Sequence, residues 1–176
     1  MQWKNKIIQK MKKIIINTIL LILGLGIYSC VDSSNKIETQ NKAVVKQYLE
    51  ELISNADFTN ADKLIDPEMT FYANGEAIPL KGLEFIKSFT EDESTAFSYI
   101  EIIDEEIIAE GNTVASRWYV KGIHDKGEYQ GIPAGNKEFK YDGMSFYKLE
   151  NGLIKEAYLI GNELLFMKQI GGIPTE

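Results

Sequence analysis

Between residues 41 and 55 the apolar side chains Ala43, Val44, Tyr48, Leu49 and Leu52 recur with polar residues between them, mostly three or four positions apart. That period predicts an amphipathic helix with one stripe packed on a sheet. Residues 60–65 predict a short second helix, stopped by Asp66-Pro67 because the residue before a proline is pushed out of helical geometry. Residues 69–73 read as a first strand ended by Asn74-Gly75, and Leu83, Phe85, Ile86 and Phe89 predict a third helix over 81–89. From Phe97 the pattern changes to long β-rich runs at 97–109, 113–124, 137–149 and 153–160. Glu110-Gly111-Asn112 and Glu150-Asn151-Gly152 are hairpin turn signals between them, and 125–136 is a longer loop bearing Gly and Pro. Residues 163–170 predict a closing short helix or strand. Helices first and a meander of strands afterwards is an α+β order, and a bent sheet wrapped over helices can enclose a pocket.

The first 30 residues follow a different pattern. Lys12 and Lys13 precede an apolar stretch from Ile14 to Tyr28, 15 residues long. A spanning helix needs about 20 apolar residues, so the stretch reads as a secretory signal peptide, with a permanent transmembrane helix as the alternative. Ile27-Tyr28-Ser29-Cys30 resembles a bacterial lipobox, in which the cysteine is acylated and becomes the mature N-terminus. The expected organisation is a signal over 1–29, a polar tether over 30–40 that begins at lipidated Cys30, and a folded domain over 41–174. The expected location is the bacterial cell envelope, with the protein held at the membrane through Cys30.

Charge narrows the function. Five lysines precede the first acid, Asp32, and without residues 1–29 the chain carries 14 bases against 26 acids, a net charge of −12. Such a surface repels phosphate backbones and excludes nucleic-acid binding. With one Cys and one His in the chain, a disulfide framework or a Cys/His zinc site cannot be assembled in one copy. No cofactor or metal is expected.

The stretch 107–174 resembles the SnoaL-like polyketide cyclases, also called ester cyclases, of the nuclear-transport-factor-2-like superfamily. The matching pieces are AEGNTVASRW (109–118), GIH (122–124), the loop GIPAGNK (131–137), the hairpin NGLIKEAY (151–158) and ELLFMKQIGGIP (163–174). The N-terminal helix and strand extend the match to 41–174. The resemblance implies an α+β cone: a curved antiparallel sheet wrapped over about three N-terminal helices around an apolar cavity. It also implies a bound polyketide ester and an aspartate acting as acid/base in an aldol closure. The family's aspartate lies nine residues before the glycine of its Gln-Leu-Gly ending, and counting back from Gly171 gives Asn162. An amide can orient a carbonyl but cannot serve as a general base. Tyr158 stands where the family usually has Trp, and Lys148 where it has Arg.

Residues two apart on a strand share a face, so Trp118, Val120, Gly122 and His124 point together, as do Tyr158, Ile160 and Asn162. If both sets face the cavity they form an aromatic wall with an imidazole and an amide at its mouth. His124 could move protons near neutral pH, or be a merely hydrogen-bonded strand-end histidine. Asn162 could line the pocket or cap the helix after it. Trp118, Tyr158 and Tyr72 are the candidate ligand wall. The acids Glu91-Asp92-Glu93 and Asp104-Glu105-Glu106 read as solvated surface. The expected function is a lipid-anchored domain binding a small, mostly apolar molecule. Two alternatives stay open: an ester cyclase or isomerase working on a carbonyl compound by acid/base catalysis, and a non-catalytic module that dimerises through its sheet.

Overall fold

The computed structural model of the chain describes residues 34–174; the predicted signal segment, Cys30 and the start of the tether lie outside the described residues. Glu38–Glu176 is one compact unit, and its elements follow. Residues 34–47 are helical and continue into a π-helical stretch, Tyr48–Ser54, the whole forming α1. The stretch 34–40, within the predicted polar tether, is helical. Lys36, Glu38 and Gln40 are good helix formers, and the turn at Gly111 pins the helix. Asn41 Nδ2 donates to Gly111 O (2.9 Å) and Gly111 N donates to Glu38 Oε1 (3.2 Å). Then come α2 (Ala61–Leu64), β1 (Ile65–Ala73), β2 (Glu76–Ala77), α3 (Gly82–Ala96), β3 (Phe97–Glu110), β4 (Thr113–His124), β5 (Lys137–Glu150), β6 (Leu153–Gly161) and α4 (Glu163–Ile170).

The six strands form one sheet in the order β2-β1-β6-β5-β4-β3. The expectation of an antiparallel sheet holds for every neighbouring pair but β1 and β6, which run parallel. The chain leaves β1 for α3 and the β3–β5 meander before β6 returns beside it in the same direction. Asn151 and Gly152 have φ of 52° and 80°, the left-handed pair that a two-residue hairpin turn needs to match strand twist.

Two apolar clusters lie on the inner face of the sheet. One gathers Val45, Tyr48, Leu52, Leu64, Met69, Ile86, Leu149 and Ile154 from α1 to α3 and the strands. The other gathers Phe97, Trp118, Val120, Phe139, Phe166 and Ile170, with Tyr129 and Tyr141 packed against it. Each fully buried Leu or Ile side chain stabilises the fold by about 1.5–3 kcal/mol, so the first cluster is the structural anchor. The second is built mainly of aromatic rings and holds the polar groups described next.

Candidate functional site

The inner face of β4 presents Ser116, Trp118, Val120, Gly122 and His124, all buried, as alternation requires. Trp118 lies across two glycines, Gly143 on β5 and Gly161 on β6, which pair in register. A Cβ on Gly143 would overlap the indole and come within 2.6 Å of Ile160 O, and one on Gly161 would reach the indole at 3.3 Å. The indole N–H donates to Ser145 Oγ at 2.9 Å. Tyr141 meets Trp118 edge-on at 6.0 Å and Phe166 at 5.1 Å; Tyr129 packs 5.0 Å from Phe97 and 5.7 Å from Phe166.

Into this aromatic surround α3 delivers Glu93. The helix runs seven residues past its expected end at Phe89, and Gly82, Ile86, Glu93 and Ala96 form its buried stripe. Glu93 is 9% exposed, and among the described residues no hydrogen bond or ion pair engages its carboxyl group. Burial without a cation pushes its pKa up to about 8. Desolvation, and then the charge of Glu93, raises Tyr129 to about 12 and Tyr141 further still. A carboxyl that changes charge near physiological pH beside two phenols can both take up and return a proton.

The sequence assigned Glu93 to a solvated acidic run; the structure corrects that. The available signal was its spacing, seven residues after Ile86, which continues the apolar stripe once the helix is extended through the acids. Tyr129 and Tyr141 were also missed, because one sits in the 125–136 loop and the other is a single alternate position on β5.

The predicted site residues divide. Trp118 is where the pattern placed it. His124 is not at a mouth: it is fully buried, its Nε2–H donates to Gly127 O at 2.8 Å, and its Nδ1 has no partner among the described residues. Gly135 N donates to His124 O at 3.2 Å, so His124 fastens both ends of the 125–136 loop. Lys126 N and Nζ donate to Ala96 O and Ser94 O at the end of α3, which ties the loop that carries Tyr129 to the end of that helix. Asn162 is exposed and caps α4, its Oδ1 accepting from Leu165 N at 3.3 Å. Its own N–H donates to Asp142 O at 2.9 Å.

Tyr158 is on the wrong face for the predicted wall. Its partner in register is Phe146, which is exposed, while the neighbouring Ala157 is buried. Tyr72 is its neighbour on β1; the two rings stack at 4.4 Å with an interplanar angle of 5°. Tyr158 donates to Glu156 (2.6 Å), and Lys148 pairs with Glu156 at 2.8 Å. Phase, not identity, was misread: the inner set on β6 is Ala157, Leu159 and Gly161, opposite Tyr147, Ser145 and Gly143.

A second polar patch lies toward α1. A cavity of about 340 Å³ opens between α1 and β3, lined by Lys42, Lys46, Asp104 and Ile107 among others. Asp104 pairs in register with Trp118, and burial raises its pKa while Ser116 and Lys46 oppose the rise. Asp104 Oδ1 and Ser116 Oγ make no hydrogen bond of normal geometry among the described residues.

The sequence profile of the SnoaL-like polyketide cyclases matches residues 43–170, a span holding Glu93, Trp118, Tyr129 and Tyr141. The chain belongs to this family. Among curated proteins none matches it. Solved structures share the fold. A candidate SnoaL-like polyketide cyclase from Jannaschia sp. CCS1 is 22% identical, with a TM-score of 0.67 over 78% of this chain and 96% of that one. TsrD from Streptomyces laurentii is 20% identical, with a TM-score of 0.63 over 74% and 97%. An LEH-like epoxide hydrolase of M. tuberculosis is 16% identical, with a TM-score of 0.57 over 76% and 90%. Asn162, which counting back from Gly171 set in the family's aspartate position, is a surface helix cap, and among the described residues α3 contributes a buried carboxyl, Glu93.

Proposed function

We propose that this is a lipid-anchored cell-envelope protein whose SnoaL-like domain binds a small, mostly apolar molecule against Trp118 and Tyr141. The observation that carries the binding reading is Glu93, a carboxyl without a cation partner among aromatic side chains. Such a group lowers stability, and perturbed, partnerless carboxyls are a mark of sites shaped for a ligand. The anchor and the envelope location rest on the basic start, the short apolar stretch and Ser29-Cys30. Mass spectrometry of the protein from its own cells tests both. Under native conditions a small molecule should remain bound. Under denaturing conditions the chain should begin at Cys30 and carry acyl mass. A full-length unmodified chain rules out the anchor, and repeated ligand-free native spectra count against binding.

A homodimer through the outer face of the sheet is a second reading. There Met144 and Ile160 pair in register beside Phe146, all three at least half exposed, and ion pairs of both signs flank them at Lys148–Glu156 and Arg117–Glu105. A flat apolar row rimmed by both charges complements its own copy. Ile160→Asp should convert a dimer to a monomer in light scattering; an unchanged mass removes this interface.

A further inference from the structure

We infer that the cavity between α1 and β3 is a binding site for a free aliphatic α-amino acid, whose carboxylate meets Lys42 and Lys46 and whose ammonium meets Asp104. Its walls are other residues than the aromatic cluster around Trp118 and Tyr141, so it stands independently of any ligand there. Lys42 and Lys46 are one helical turn apart on α1 and both line the cavity. Two like charges at that spacing repel each other along the helix. Among the described residues neither ammonium takes part in an ion pair that would relieve the repulsion.

Across this cavity of about 340 Å³, β3 carries a bulge. Its register against β4 shifts between Asp104 and Glu106, and Glu105, the residue between them, is taken up by Arg117. A bulge bends its strand and re-aims the side chains beside it. Asp104 remains in register with Trp118, and its Oδ1 is buried with no hydrogen-bond partner among the described residues. Lys46 is near enough to oppose the rise that burial causes in the Asp104 pKa, yet no ion pair closes between the two. Charges of opposite sign are thus held apart on the walls of one cavity.

A single small molecule carrying both signs satisfies them together. Its carboxylate accepts charge-assisted hydrogen bonds from the two lysines, and the ammonium on the adjacent carbon donates to Asp104 Oδ1. A simple anion would leave that buried oxygen without a donor, and a simple amine would leave the lysines repelling each other. Ala43 and Ile107 supply apolar wall for an aliphatic side chain, and the volume is that of a small-molecule site.

The test titrates the full chain by calorimetry with three probes: L-leucine, 4-methylpentanoate, which lacks the ammonium, and 3-methylbutylamine, which lacks the carboxylate. Leucine should bind, and each truncated probe should bind at least about tenfold more weakly. Asp104→Asn should weaken leucine about tenfold without weakening 4-methylpentanoate, whereas Lys42→Gln combined with Lys46→Gln should weaken both about tenfold. Asp104→Asn is nearly isosteric and the lysines border an open cleft, so the variants should keep the circular-dichroism spectrum of the native protein. Leucine that does not bind at millimolar concentration, or that binds both variants as it binds the native protein, overturns the site. Equal affinity for leucine and 4-methylpentanoate overturns the amino-acid assignment and its contact with Asp104.

Discussion

Glu93→Gln should stabilise the protein, and by more as the pH is raised. The folded-state pKa of Glu93 is about 8 against an ordinary 4.5. Below about pH 4.5 the group is protonated folded or unfolded, and its contribution is at its most favourable. Between the two values the folded state holds a proton that the unfolded chain has released, so stability falls as pH rises, by about 1.4 kcal/mol per pH unit for one group. Above about pH 8 the loss is complete, on the order of 3–5 kcal/mol as an upper figure. Gln carries no such dependence. Urea unfolding of both proteins at pH 5, 7 and 8.5 checks this, with the difference between them isolating Glu93. Other carboxylates slope the opposite way in both proteins. Asp66, Asp125 and Glu156 are held below their usual range, mainly by side-chain hydrogen bonds from Lys155, Ser98 and Lys148, and their stabilisation is lost as pH falls. Parallel curves for the two proteins would sink the claim that this carboxyl is buried without a partner.

Trp118→Ala should cost about 3–5 kcal/mol, the usual range for a buried large aromatic, and should abolish ligand binding. The indole fills the space over Gly143 and Gly161 and supplies the donor to Ser145 Oγ. Removing it opens a void above two residues that have no side chain to relax into it, and leaves a buried hydroxyl short of a partner. Gly143→Ala addresses the same packing from below. In the native protein the added methyl meets the indole and Ile160 O and should cost about 1–3 kcal/mol. In the Trp118→Ala background part of that cost should disappear, because the methyl enters empty space. A double-mutant cycle by denaturant unfolding measures the difference, and strict additivity would show that the two positions do not share the site.

Most elements could be read from periodicity because each depends on its own residues. The β4 span was legible to the residue, and so were the bounds of α4, although helix and strand both stayed open for it. The α3 boundary was not, since Glu91-Asp92-Glu93 looks like a solvated end and nothing local says that the third acid turns inward. Strand phase failed on β6 for a related reason. Alternation tells which residues share a face, but the choice of face depends on the strand beside it. Here Tyr147, Ser145 and Gly143 on β5 draw Ala157, Leu159 and Gly161 inward and turn Tyr158 out.

The sequence by itself determined the family and the α+β order, and the acidic charge balance of the chain. These are properties of composition, period and position, available without a partner in space. Only the tertiary structure decided which groups come together: Glu93 near Tyr129 and Tyr141, Trp118 over its two glycines, and His124 as a buried loop fastener. The cause is desolvation. Whether a carboxyl or an imidazole is a surface group or a site group depends on how much water its neighbours remove, and those neighbours come from chain segments far away in sequence.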